Sequence, residues 1–96
     1  MILRYQTATK GQFVEEPSFD VSDGGTFVET DEPLAPGTLL RFELRIAAER
    51  LAMHGVGRVV WRRHQPREQC PAGMGIKFIK IDDACRAAIA RISEQN

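Results

Sequence analysis

Cysteine is scarce in this 96-residue chain, and the two that occur, Cys70 and Cys85, are not spaced as a metal knuckle. No His-x-x-His or Cys-x-x-Cys pair accompanies them, which removes the usual zinc frameworks. A disulfide framework is not expected either. The opening residues Met1–Thr7 lack a basic stretch followed by a long apolar run, so no signal directs the chain to an oxidising compartment. No apolar segment approaches the length that crosses a bilayer. The chain is therefore expected to be cytoplasmic, with free thiols. An excess of either charge is also missing, and a formal net charge of +0 argues against a protein that grips nucleic acid through its phosphates. Residues 1–50 carry nine acids against five Lys/Arg, and residues 51–96 carry four against eight. Interleaved strands are expected to blend that asymmetry into an ordinary solvated surface.

The signatures of catalysis are absent too. There is no Gly-x-Ser-x-Gly elbow, no Gly-rich loop ending in Gly-Lys-Ser/Thr, and no carboxylate pair at strand spacing opposite a histidine. His54 and His64 read as solvated side chains. No catalytic residue, metal ligand or cofactor is expected, and the chain does not read as an enzyme.

What the sequence does contain is one core's worth of apolar residues, 43%, in the length of one domain spanning residues 1–96. In Thr38–Ile46, Leu40, Phe42, Leu44 and Ile46 alternate with Arg41, Glu43 and Arg45, the period of a half-buried strand. Pro36-Gly37 ahead of it suits the centre of a type II turn. Leu51–Arg63 predicts a second long strand, with Leu51, Met53, Val59 and Trp61 inward and His54, Arg58 and Arg62 outward. Gly55 and Gly57 mark a bulge or bend within it. Glu49-Arg50 is placed at the hairpin between these two strands. Shorter strands are predicted at Ile2–Thr7, Gln12–Val21, Gly25–Thr30 and Met74–Ile79, with a hairpin at Ala8–Gly11. Phe13, Phe19, Phe27, Phe42 and Phe78 are distributed as a barrel core requires. From Asp82, a good N-cap, the stripe Cys85, Ala88, Ile89 and Ile92 predicts a helix packed on the barrel. The expected fold is all-β with one terminal helix: a six-stranded antiparallel β-barrel followed by a C-terminal α-helix.

Phe19–Phe27 stands apart. The strand ends, turns sharply and restarts, with Asp20 and Ser22 on one side of an extended chain and Gly24 and Gly25 free to adopt positive φ. On its own the segment reads as an Asx/Ser turn that caps its own backbone. Asp20-x-Ser22-x-x-Gly25, however, resembles the Asp/Asn-x-Ser-x-x-Gly motif of the PilZ domain family. Three later landmarks resemble it in order: Pro33-Leu-Ala-Pro-Gly37-Thr38, Gly57-Arg-Val-Val-Trp61 and Gly73-Met-Gly-Ile-Lys-Phe78. The resemblance runs from Leu3 to Ile92. It implies the barrel and helix read above, and binding of the bacterial messenger cyclic di-GMP through Asp20, Ser22 and Gly25.

Members that bind the messenger clasp it with an Arg-x-x-x-Arg segment just before the first strand, where two guanidinium forks suit phosphates and guanines. Here Arg4 is the only early arginine, it falls within the first strand, and four residues later stands Ala8. Lys10, Arg62 and Arg63 are further basic groups, but lysine cannot replace a fork. Each charge-assisted hydrogen bond lost is worth roughly 1.5–3 kcal/mol, so weak or no cyclic di-GMP binding is expected. The expected function is a PilZ-like signalling adaptor that contacts another protein of a bacterial motility or signalling system, with type IV pili and cell polarity as the settings the family implies. The alternative is a genuine cyclic di-GMP receptor with a non-standard basic partner, Arg4 first. A longer parent chain carrying the upstream arginines is a third possibility. The candidate binding residues are Arg4, Asp20, Ser22, Gly24 and Gly25.

Overall fold

The structure, a computed structural model, describes residues 1–7, 11–22, 24–46 and 51–81, together with Asp83, Arg86, Ala87 and Ala90. The turns expected at Ala8–Gly11 and Glu49-Arg50 and the helix expected from Asp82 fall wholly or mostly outside these residues.

Six strands form a closed antiparallel barrel in the order β1-β2-β3-β6-β5-β4. They are β1 (Ile2–Thr7), β2 (Val14–Phe19), β3 (Gly25–Glu29), β4 (Leu39–Ile46), β5 (Leu51–Arg63) and β6 (Gly73–Ile81). Closure gives every strand a hydrogen-bonded neighbour on each side, which shortens the free edges that otherwise invite pairing with other chains. Alternation decides which side chains enter. Leu40, Phe42 and Leu44 are buried in β4 as their spacing predicts, joined by Leu3 and Tyr5 from β1, Val28 from β3, Val59 from β5, and Met74 and Ile76 from β6. The β2 segment is shorter than Gln12–Val21 because Asp20 takes φ 54, which ends the extended run at Phe19. The β6 segment is longer than Met74–Ile79, extended by pairing of Gly73 with Glu29 and Arg63 and of Ile81 with Gly55. Ahead of β4, Thr38 N–H donates to the Ala35 carbonyl at 3.1 Å and Gly37 takes φ 95. That is a type II turn, with proline and the positive-φ glycine where it needs them.

Two irregularities interrupt the β5–β6 ladder. Val56 pairs with Lys80 and Gly57 with Phe78, so Ile79 is the extra residue, and it stands 49% exposed. The bulge expected near Gly55 and Gly57 is therefore present, with its extra residue on β6. The second irregularity lies between Val59, paired with Ile76, and Trp61, paired with Gly75, so Val60 is the extra residue.

Tyr5, the one tyrosine of the sequence, is buried with its ring in the core. Burial pushes its pKa up to about 12, helped by the negative charges of Glu16 and Glu32 and opposed by a hydrogen bond with Thr30. Glu16 itself is raised by partial burial and by neighbouring Asp31, Glu29 and Glu32, and Thr30 counteracts this from 3.4 Å. The folded state thus holds the Tyr5 proton above the pH at which the unfolded chain releases it, near 10. Stability is complete below about pH 10 and falls as pH rises towards the folded value. Absorbance titration should show the phenolate appearing near pH 12 or with unfolding, and Tyr5→Phe should flatten the alkaline fall in denaturant midpoint.

Candidate functional site

The loop after β2 is held by its own polar groups. Asp20 occupies the left-handed region, which aspartate tolerates better than most residues, and Val21 follows as a buried anchor. Ser22 N–H donates to the Gly25 carbonyl at 2.9 Å, and Gly24 N–H donates to Ser22 Oγ at 3.3 Å. The Ser22 hydroxyl in turn donates to the Gly25 carbonyl at 3.4 Å. Its hydrogen-bonding capacity is largely used within the turn. The Gly24 carbonyl accepts from Phe78 N–H at 2.9 Å, tying the loop to β6. Thr26 Oγ1 donates to the Phe19 carbonyl at 2.8 Å and also contacts the buried Ser18 hydroxyl.

Two expectations change here. The bend at Asp20 means that Asp20 and Ser22 do not lie side by side along an extended strand. Neither Gly24 nor Gly25 adopts positive φ; among glycines only Gly37 does within the described residues. Gly25 is required for a steric reason instead, since a Cβ there would collide with the Ile76 carbonyl of β6. A Cβ on Gly24 would meet only Ser22 Oγ, at 3.9 Å.

The aromatic residues depart furthest from expectation. Trp61, read as inward, is 41% exposed, and Val60 is 48% exposed. The extra residue at Val60 reverses the alternation after the buried Val59, so Val60 and Trp61 both face outward. Of the phenylalanines read as core, Phe42 is buried and stacks on half-buried Phe78 at 5.0 Å, whereas Phe13 and Phe19 are exposed and Phe27 is half-buried. Phe19 pairs with Phe27, Phe27 with Gly75 and Gly75 with Trp61. One row of the outer face thus runs Phe19–Phe27–Gly75–Trp61 across four strands, about 14 Å at ~4.8 Å per strand. Trp61 lies over Gly75, where a Cβ would collide with the indole, and stacks on Phe27 with centroids 5.5 Å apart and planes at 16°. The Arg63 guanidinium lies 5.2 Å from the indole centroid and donates to the Pro71 carbonyl at 2.9 Å.

Beside this row a shallow cleft of about 410 Å³ brings together Asp20, Ser22, Gly24 and Gly25 with Val60, Trp61 and Lys77. Four of the five candidate residues therefore share one site. Arg4 does not join them. It pairs in register with Glu15, five residues before Asp20 and about 16 Å away along β2 at ~3.3 Å per residue. Its guanidinium covers the Phe13 ring at 4.4 Å and lies 4.0 Å from Glu15. The basic groups that do adjoin the cleft are Lys77, which pairs with Gly25 and with Arg58, and the Arg62–Arg67 segment on the far side of Trp61. Among the described residues Arg58, Arg62, Arg67 and Lys77 stand in no ion pair. Sequence periodicity missed Trp61 because it carries no sign of the extra residue at Val60, and it missed Val60, Phe27 and Lys77 as site residues because cross-strand register, which brings them beside the loop, is not visible in any one strand.

A larger cleft of about 570 Å³, lined by Phe13, Arg41, Glu43, His54 and Lys80, contains none of the candidate residues. There the Arg45 guanidinium, 2.9 Å from Glu43, holds that carboxylate below its ordinary range, with His54 3.4 Å away. No group of three or more His, Cys, Asp or Glu suited to a metal ion occurs among the described residues.

The steric contrast between the two loop glycines gives a paired expectation. Gly25→Ala should destabilise by about 3 kcal/mol, the upper part of the overpacking range, because its neighbour is backbone that cannot rotate away. Gly24→Ala should cost less than about 1 kcal/mol. Urea unfolding of the two variants reads the difference.

Comparison with known proteins places the whole assembly. No curated protein matches the chain. A family model described as PilZ domain matches residues 3–95, covering β1 from Leu3, all of β2 to β6 and the loop at Asp20–Gly25. The chain belongs to the PilZ domain family, whose members are tied to cyclic di-GMP binding and to signalling adaptor roles.

Proposed function

We propose that this PilZ domain is a non-enzymatic signalling adaptor that works by contact with another protein, with weak or no cyclic di-GMP binding. The observation that carries this reading is the exposed row Phe19–Phe27–Trp61 with Val60 beside the motif loop. Exposed aromatic side chains next to arginine are the typical anchors of protein interfaces. The motif supports the same reading. Ser22 spends its hydroxyl on the turn, and Gly25 serves the close approach of β6. The indole is already flanked by Phe27 and Arg63, so a guanine stacking on it must displace one of them. Among the described residues no pair of arginines brackets the Asp20 side of the cleft. Bacterial motility, type IV pilus function and cell polarity are the settings that family membership suggests, and a cytoplasmic location fits them. No helix among the described residues is long and apolar enough to cross a membrane.

A second reading, a cyclic di-GMP receptor, is favoured by one observation: Lys77 lines the same cleft as Asp20 and Ser22, with Arg58 its neighbour in register. In that reading Lys77 and Arg58, rather than Arg4, are the non-standard basic partners.

The two readings separate in one pair of experiments. Isothermal titration with cyclic di-GMP should give no saturable heat at tens of micromolar protein; saturable heat lost in Lys77→Ala supports the receptor. The immobilised chain should retain a protein partner that Val60→Asp, with an unchanged thermal midpoint, fails to retain. Equal retention by the variant contradicts docking on this face.

A further inference from the structure

The outer face of β2, β3, β6 and β5 carries a charge pattern as well as an apolar row. On one flank of the row stand Arg58 and Lys77, paired with each other across β5 and β6. On the other stands Arg67, which lines a cleft of about 460 Å³ that shares Trp61 with the cleft at Asp20; Arg62 lines it too, from the side of its partner Met74 rather than from the outer face. All four are exposed, and among the described residues none has an ion-pair partner. The acids nearest to them are Asp20, Glu68 and Glu29, the last in the next row of the same face, across Gly73 from Arg63. Elsewhere the chain does pair its charges across neighbouring positions, as Glu43 with Arg45 shows. A neutral chain has thus left four cations without an ion-pair partner beside its exposed aromatic row, among the described residues.

We propose that this face docks a protein segment in which acidic residues flank aromatic or aliphatic ones. The proposal rests on the adaptor reading and names the chemistry of the partner. The apolar row buries the partner's anchor side chains, where most interface energy concentrates. The flanking cations supply complementarity, which governs encounter rate and partner choice more than affinity. A protein segment suits the face better than a nucleic acid for two reasons. The indole is covered by Phe27 and Arg63, so the row offers edges and aliphatic surface rather than an open ring on which a base stacks. The row is also about 14 Å wide, the span of several residues of extended chain rather than of one base.

The test is selection of random Trp-free dodecapeptides on the immobilised full chain, with each enriched peptide then titrated against wild type, Arg58→Glu/Lys77→Glu and Val60→Asp. Thermal midpoints confirm that both variants fold. The expected peptides combine Asp or Glu with Phe, Leu or Ile, and weaken at least about tenfold on Arg58→Glu/Lys77→Glu. They should also weaken as salt rises from about 0.05 to 0.3 M, as screening requires. Apolar peptides without acids that bind wild type and the charge variant equally overturn the acidic partner but leave the adaptor reading intact, provided Val60→Asp abolishes them. Peptides indifferent to Val60→Asp dock elsewhere and overturn both. Absence of enrichment, or a single-stranded oligonucleotide that displaces the peptides and binds more tightly, also overturns the proposal.

Discussion

Between Val59 and Trp61 the β5 strand advances two residues while β6 advances one, from Ile76 to Gly75. The outer face depends on this extra residue. In an unbroken ladder Val59 and Trp61 would share the barrel interior, and the indole would compete for space with Ile76 and Met74. With Val60 inserted, Val59 remains fully buried and the indole crosses to the outside, where Gly75 leaves room for it. From there Trp61 reaches Phe27 across the intervening strand, and the motif loop, Lys77 and the Arg62–Arg67 segment come to border a single surface. Bulges that redirect a side chain beside a functional surface are a recurrent device of antiparallel sheets.

The second constraint is the seam between β3 and β6, which with the β1–β4 seam is one of the two pairings of strands distant in sequence that close the barrel. It is tight at Gly25, where β6 backbone occupies the space of a side chain, and it is clamped by the Gly24 carbonyl on Phe78 N–H. The Asp20–Gly25 loop is therefore part of the closure as well as part of the surface. Its polar atoms serve the turn first. The Asp-x-Ser-x-x-Gly pattern thus has a structural role in this barrel that does not require a ligand.

Much of the fold is legible in the sequence because it is written as alternation. Leu40, Phe42 and Leu44 are buried where period two puts them, Pro36-Gly37 makes its turn, and the long strand begins at Leu51 and ends at Arg63. The site is less legible, for a reason of the same kind. Trp61 keeps perfect spacing with Val59, and nothing local to the chain shows that one residue is to be skipped in pairing. A one-residue slip reverses every facing beyond it. Arg4 illustrates the other limit. Its residue type suits a phosphate, but the strand that carries it is separated from the motif by the length of β2, and its guanidinium is committed to Phe13 and Glu15.

The outward placement of Trp61 is the claim on which the site rests, and the chain has a single tryptophan. Acrylamide quenching of its fluorescence in the folded protein tests that placement directly. An indole 41% exposed should give a partly solvated emission maximum, and a quenching constant well above that of a buried indole though below that of the unfolded chain. A blue-shifted emission that acrylamide barely reaches would return Trp61 to the barrel interior and remove the surface on which the proposed adaptor function depends.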